Sequence, residues 1–187
     1  ILNHGYIPPS EYWTGADTYD ASTYLASRGF LTISPDFRGW GRSDTGENVF
    51  RSGLAIDVMN LIGALPSVPQ ADPDRVGIFT THAYLGASAE RSTHGCGSTQ
   101  FLWDGLAVPN PNLRFMLSGH VHAESRRTDV ANGQPVFQML ADYQDRASGG
   151  EGWLRILRFV PAESKVYVQT YSPWLNRFET DADSEFT

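Results

Sequence analysis

The chain has 187 residues, 41% of them hydrophobic and 12% aromatic, which is material for one ordinary domain or two small ones and excludes a disordered or fibrous protein. A net charge of -7 and a pI near 5.1 exclude the basic surface that nucleic acid needs, while a phosphate-bearing substrate stays open if a metal supplies local positive charge. No window reaches the roughly 18 to 20 apolar residues of a membrane span. The chain opens at Ile1 without Met or signal peptide and reads as a piece of something longer, and the single Cys96 leaves the compartment unassigned.

In chain order, residues 1–3 read as a strand end and 19–28 as a helix closed by Gly29. Residues 30–34 read as a buried strand stopped by Pro35. The clearest helix is 54–65, with Leu54, Val58, Leu61, Ile62 and Leu65 at helical spacing on one face. A turn-rich loop over 66–74 leads to a strand at 76–80. Strand, helix, strand, helix, strand implies right-handed parallel crossovers. Residues 83–100 are rich in Gly, Ser and Thr and read as irregular, followed by a short helix at 101–106 and a strand at 115–118 ending at Gly119. Further strands fall at 136–140, 154–159 and 166–170, the last two joined as an antiparallel hairpin through 161–165. The expected fold class is α/β: a parallel sheet with flanking helices on the N-terminal side, continuing into a partly antiparallel C-terminal sheet.

Four phrases in the front of the chain, "NHGY" (3–6), "YLASRGF" (24–30), "SPDFRGWGRSD" (34–44) and "DPDRVGIF" (72–79), together cover about two fifths of it. As a set they resemble the N-terminal half of an α/β-hydrolase of the dienelactone-hydrolase and prolyl-oligopeptidase type. That resemblance implies a Gly-x-Ser-x-Gly elbow next, presenting a nucleophile on a strained turn. Thr80, Thr81, His82, Ala83 and Tyr84 stand there instead. The nearest serine, Ser88 in Gly86-Ala87-Ser88-Ala89-Glu90, lacks the second glycine, and no triad partners are in place. A serine esterase or peptidase is disfavoured.

The remainder carries "THAYL" (81–85), "LSGHVH" (117–122), "MLADYQ" (139–144), "GGEGWLRIL" (149–157) and "TYSP" (170–173). These resemble the closing half of a calcineurin-like metallophosphoesterase of a bacterial branch. By that resemblance His82 and His120 bind one metal ion and His122 its neighbour. The cofactors implied are divalent transition-metal ions (Zn, Mn or Fe), and the substrate is a small phosphate ester. The residue types suit this chemistry, because neutral imidazole is a good ligand for such ions. An extended Gly-His-x-His segment also turns the rings at i and i+2 the same way, and Gly119 allows the tight approach of backbone to the site.

The same family needs Asp-x-His, Gly-Asp-x-x-Asp and Gly-Asn-His motifs from its front half, and none occurs in residues 1–79. The expected organisation is therefore chimera-like: 1–79 from one hydrolase, 80–187 from another, merged into one domain through a shared parallel strand near 78–80. His82 then stands where the hydrolase serine would stand. His4 or Asp36 is the candidate to complete a single-metal site with His120 and His122. The leading expectation is a metal-dependent phosphoesterase with an incomplete site, holding one ion or none and weakly active. The alternative is a catalytically inactive scaffold. Laboratory recombination, natural fusion and an assembly artefact all fit the junction, and oligomeric state stays open. His94 reads as a solvent-facing loop residue, Cys96 as a small loop or buried residue, Asp142 and Tyr143 as packing, and Trp153, Phe159 and Tyr167 as core.

Overall fold

A computed structural model describes residues 1–48, 52–72, 77–93 and 97–187. The chain divides into two units, Ile1–Val76 and Gly77–Thr187. In the first, helix α1 (Tyr19–Ala26) ends as its sequence predicts. Gly29 takes φ +85°, and the N–H groups of Gly29 and Phe30 return to Ala26 O and Leu25 O, a left-handed cap that satisfies carbonyls left over by the last turn. Helix α2 (Ser52–Ala64) runs into a 3₁₀ turn, Leu65–Ser67, carrying Pro66. Arg38 clamps α2 through a 2.7 Å guanidinium contact to Asp57 and a backbone N–H to the same carboxylate. Burial would raise the Asp57 carboxyl, and the Arg38 hydrogen bonds and charge hold it below its usual range instead.

The strands expected at 1–3 and 30–34 do not form. One backbone hydrogen bond joins them, Leu2 N–H to Ile33 O at 2.9 Å, and Phe30 and Leu31 are 61% and 47% exposed. A strand needs a ladder to satisfy its backbone groups, and no ladder exists among the described residues of this unit. Its centre is a polar and aromatic knot instead. Asp36 accepts hydrogen bonds from Tyr12 Oη (2.7 Å), Thr14 Oγ1 (2.8 Å) and the Arg42 N–H (3.1 Å). The His4 ring lies 4.5 Å from that of Tyr12 and 4.8 Å from that of Phe37. Gly41, at φ +54°, is obligatory here, since a Cβ would overlap the Asp36 carboxylate.

All the described strands lie in the second unit, and they make the fold α/β, with one mixed sheet and the rest antiparallel. Strands β1 (Gly77–Ala83), β4 (Leu113–Gly119), β5 (Glu124–Ala131) and β6 (Gln134–Ala141) form a sheet in the order β1-β4-β6-β5. β1, β4 and β6 are parallel, and β5 is antiparallel to β6. β4 buries Leu113, Phe115 and Met116, the near-continuous apolar run of a strand covered on both faces. The hairpin β5–β6, absent from the sequence expectation, turns at Asn132-Gly133 with both residues left-handed (φ +52° and +72°), the conformation that an Asn-Gly pair favours.

A second sheet holds β7 (Leu154–Val160) and β8 (Lys165–Ser172) as the expected antiparallel hairpin, with β9 (Arg177–Glu179) and β10 (Glu185–Phe186) also paired to β8. Phe115, Met139 and Val168 are buried between the sheets, with Leu117, Phe137, Leu157, Val166 and Phe186 packed on them. Each such side chain contributes about 1.5–3 kcal/mol of burial. Trp153 is buried as expected, but Phe159 is 43% exposed; its ring meets Phe115 edge-on at 5.3 Å from the margin of the core. Short strands β2 (Ser92–Thr93) and β3 (Gly97–Ser98) flank residues 94–96, so His94 and Cys96 lie outside the described residues. The helix expected at 101–106 is a turn, Gln100–Leu102, running into a π turn, Trp103–Ala107. No helix among the described residues is long and apolar enough to cross a membrane.

Candidate metal centre

Parallel pairing of β1 with β4 brings two of the three motif histidines together. Thr81 pairs with Ser118 and Ala83 with Gly119, so the register slips at His82. A bulge of this kind re-aims the extra side chain at a strand end. His120 follows the last residue of β4. The two rings lie with centroids 4.5 Å apart, tilted by 49°.

The extended Gly-His-x-His conformation expected from the sequence is not what positions His120 and His122. β4 stops at Gly119, and the Val121 N–H bonds back to Gly119 O at 2.9 Å across His120, whose φ is +71°. This is a three-residue γ-turn of the rare, strained kind. The next bond, Ala123 N–H to Val121 O at 2.7 Å, closes a second three-residue turn around His122. Nor does Gly119 carry the tight backbone. It lies outside the left-handed region, and a Cβ there would meet only ordinary contacts, Asp142 Oδ2 at 3.6 Å and His82 O at 3.9 Å. The strain falls on His120 instead.

Consecutive turns send His122 away from an i, i+2 alignment with His120. Its Nδ1 lies 2.5 Å from Asp145 Oδ2, and its Nε2 is covered by the side-chain amide of Gln144. Both partners sit on a turn pinned at several points. The Asp142 N–H donates to Ala123 O (3.0 Å), the Gln144 N–H to Asp142 Oδ1 (3.1 Å) and the Arg146 N–H to Tyr143 O (2.9 Å).

Beneath this turn Glu124, whose side chain is 8% exposed, collects donors from five residues. They are Tyr143 Oη (2.8 Å), Arg146 Nη2 (2.7 Å), Thr170 Oγ1 (3.1 Å), Ser184 Oγ (3.2 Å) and Arg155 Nη2. Burial above all pushes the Tyr143 hydroxyl up to about 12. Asp142 and Tyr143, expected as packing, thus brace the turn that holds His122. Sequence reasoning missed Glu124, Gln144 and Asp145. Gln144 was legible only as part of "MLADYQ", and Glu124 opens a strand whose polar face hid it.

Two imidazoles can hold one ion with water in the remaining positions. Among the described residues no group of three or more His, Cys, Asp or Glu is placed to hold a metal. His82 and His120 are the two motif imidazoles that the structure brings side by side, and they would be the residues to hold a single ion. His4 and Asp36 belong to the first unit. There His4 Nδ1 bonds Gly5 O at 2.7 Å, and hydrogen bonds from Tyr12, Thr14 and Arg42 outweigh burial to hold the Asp36 carboxyl below its usual range. Ser88 lies in a turn closed by Gly86 N–H to Glu90 O and Ala89 N–H to Gly86 O, which is not a strand-to-helix elbow.

No family model matches the chain, and no solved structure matches it at a significant level. Among curated proteins it is similar to "Uncharacterized protein YvnB" of Bacillus subtilis (strain 168), at 40% identity over 130 residues. That match covers 64% of this chain and 10% of the relative, so the chain spans about a tenth of the relative's length.

Proposed function

We propose that the second unit carries part of a hydrolase site of the metal-dependent phosphoesterase type, acting weakly on small phosphate esters. His82 and His120 would hold one divalent transition-metal ion, with Zn, Mn and Fe all suited to imidazole. The observation that carries this reading is the pairing of their rings, 4.5 Å apart, at the C-terminal ends of adjacent parallel strands, the edge where open α/β sheets bind ligands. A bulge and a strained turn, both devices found next to active sites, produce that pairing.

When bound, such an ion supplies Lewis acidity and lowers the pKa of its water. The chain's own part is to fix two imidazoles and leave the other coordination positions open to water and substrate. Activity is weak because the bridging carboxylate and the general acid that the family resemblance requires have no counterpart in its motifs here. A second reading, a catalytically silent scaffold, draws on the engagement of His122 with Asp145 and Gln144.

Hydrolysis of an aryl phosphodiester with added Zn²⁺, Mn²⁺ or Fe²⁺ separates the two. The first reading expects slow turnover that a chelator stops and that His82→Ala/His120→Ala lacks. Equal background rates in both proteins, unchanged by chelation, would leave the scaffold.

A further inference from the structure

The apolar layer between the two sheets, centred on Phe115, Met139 and Val168, opens toward the C-terminal ends of β1, β4 and β6 into a cleft of about 320 Å³ within the second unit. Leu117, Met139 and Leu157 give it an apolar wall, and Thr80 and Thr81 close it on the β1 side. Pockets for small molecules have this character, mostly apolar with a few polar groups, and run from roughly 300 to 1,000 Å³. Thr81 and Gly119, which both line the cleft, immediately precede His82 and His120.

Arg155 lines the same cleft, and its side chain is only 7% exposed. Nη1 donates to Leu140 O (3.3 Å), and Nη2 donates to Thr170 Oγ1 (3.3 Å), to Asp183 O (2.7 Å) and to Glu124. The Nε–H is shielded from bulk water and has no hydrogen-bond partner among the described residues. Buried donors are nearly always paired, so an orphaned one calls for an acceptor that the chain itself does not supply. The acceptor that suits it is uncharged. Arg155 and Arg146 both pair with Glu124, and Arg146 also pairs with Glu179, so two guanidiniums and two carboxylates already balance. A further carboxylate would lose its hydration here without a free cation to face.

We infer that the cleft is a binding site for a small, uncharged and largely apolar molecule carrying one carbonyl oxygen, an amide or an ester, with the Arg155 Nε–H as the donor that selects the carbonyl. The apolar part of the ligand lies against Leu117, Met139 and Leu157. Two of the four bonds that hold the guanidinium are long, at 3.3 Å. A small turn therefore brings the Nε–H to the ligand while Nη2 keeps Glu124 and Asp183 O. The site stands beside the histidine pair and draws on neither imidazole, so it holds whether or not the pair binds an ion.

The test is NMR titration of the full chain with benzamide, toluene and benzoate, reading the Arg155 Nε–H and the Met139 methyl group. These probes leave Arg155 in place, since replacing it would strand Glu124. Benzamide is expected to shift both signals. Toluene, which lacks the acceptor, is expected to shift the methyl alone and to bind about fivefold more weakly, the equivalent of about 1 kcal/mol for one hydrogen bond. Benzoate is expected to bind more weakly than benzamide. Thr80 is exposed on β1, so Thr80→Phe fills the cleft without touching the core and should abolish binding of benzamide and toluene alike. No shift with benzamide would overturn the site, and benzamide binding unchanged in Thr80→Phe would overturn its location. Toluene binding as tightly as benzamide with a still Nε–H would overturn the role of Arg155. Benzoate binding more tightly than benzamide would overturn the uncharged ligand.

Discussion

His120 occupies a backbone conformation, φ +71°, that non-glycine residues adopt only uncommonly. Such a residue costs about 1–3 kcal/mol and persists where its surroundings over-determine it. Replacing it tests what the strain is for. His120→Gly is expected to raise the stability of the protein by about 1 kcal/mol, because glycine adopts this φ without steric cost, and to lose metal binding. His120→Ala keeps the strain and should lose the binding with no gain in stability. Thermal melts of the three proteins decide it, and a glycine variant less stable than wild type would mean that His120 makes contacts worth more than its strain. The sequence shows these residue types plainly, since Gly-His-x-His is visible at a glance. It does not show their geometry. A γ-turn is set by a bond between residues two apart, and Gly119 looks like the natural bearer of any unusual backbone while its neighbour bears it.

Elements of the second unit were legible where their chemistry is apolar. β4, β6, β7 and β8 announce themselves through runs such as Phe115-Met116-Leu117 and Val166-Tyr167-Val168. β5 did not, because Glu124-Ser125-Arg126-Arg127-Thr128-Asp129 has no apolar alternation. It is the edge strand of its sheet, with Arg127 and Asp129 paired to each other at 2.7 Å on it. Its one clear mark was Asn132-Gly133. The front strands failed for the opposite reason: residues 30–34 are apolar enough for a strand but have no ladder to join. At this scale Glu124 ties the elements together, linking β5, β7, β8, the 143–146 turn and the C-terminal segment. Glu124→Ala strands the Arg155 guanidinium, whose side chain is itself 7% exposed. Removing one partner of a buried charge pair costs about 3–5 kcal/mol. Urea unfolding should show a loss of that size with an unchanged slope, and a loss under about 1 kcal/mol would mean that solvent reaches the pair.

For the whole molecule, the family resemblances place a boundary between residues 79 and 80, and the structure divides the chain at Val76 and Gly77. The three residues between them belong to β1, whose pairing with β4 starts at Gly77 with Leu113. Hydrogen bonding thus assigns Ile78 and Phe79 to the second unit although the phrase "DPDRVGIF" runs through them. Each unit has its own means of cohesion, an aromatic and carboxylate knot in the first and two sheets around an apolar centre in the second. The histidine pair belongs wholly to the second unit. Its proposed chemistry is therefore tested most directly by transition metal bound per chain, measured by elemental analysis after purification from metal-supplemented buffer, beside His82→Ala/His120→Ala. About one equivalent in the wild type and background in the variant is the expected result. The same content in both proteins, or none above background in the wild type, would contradict it.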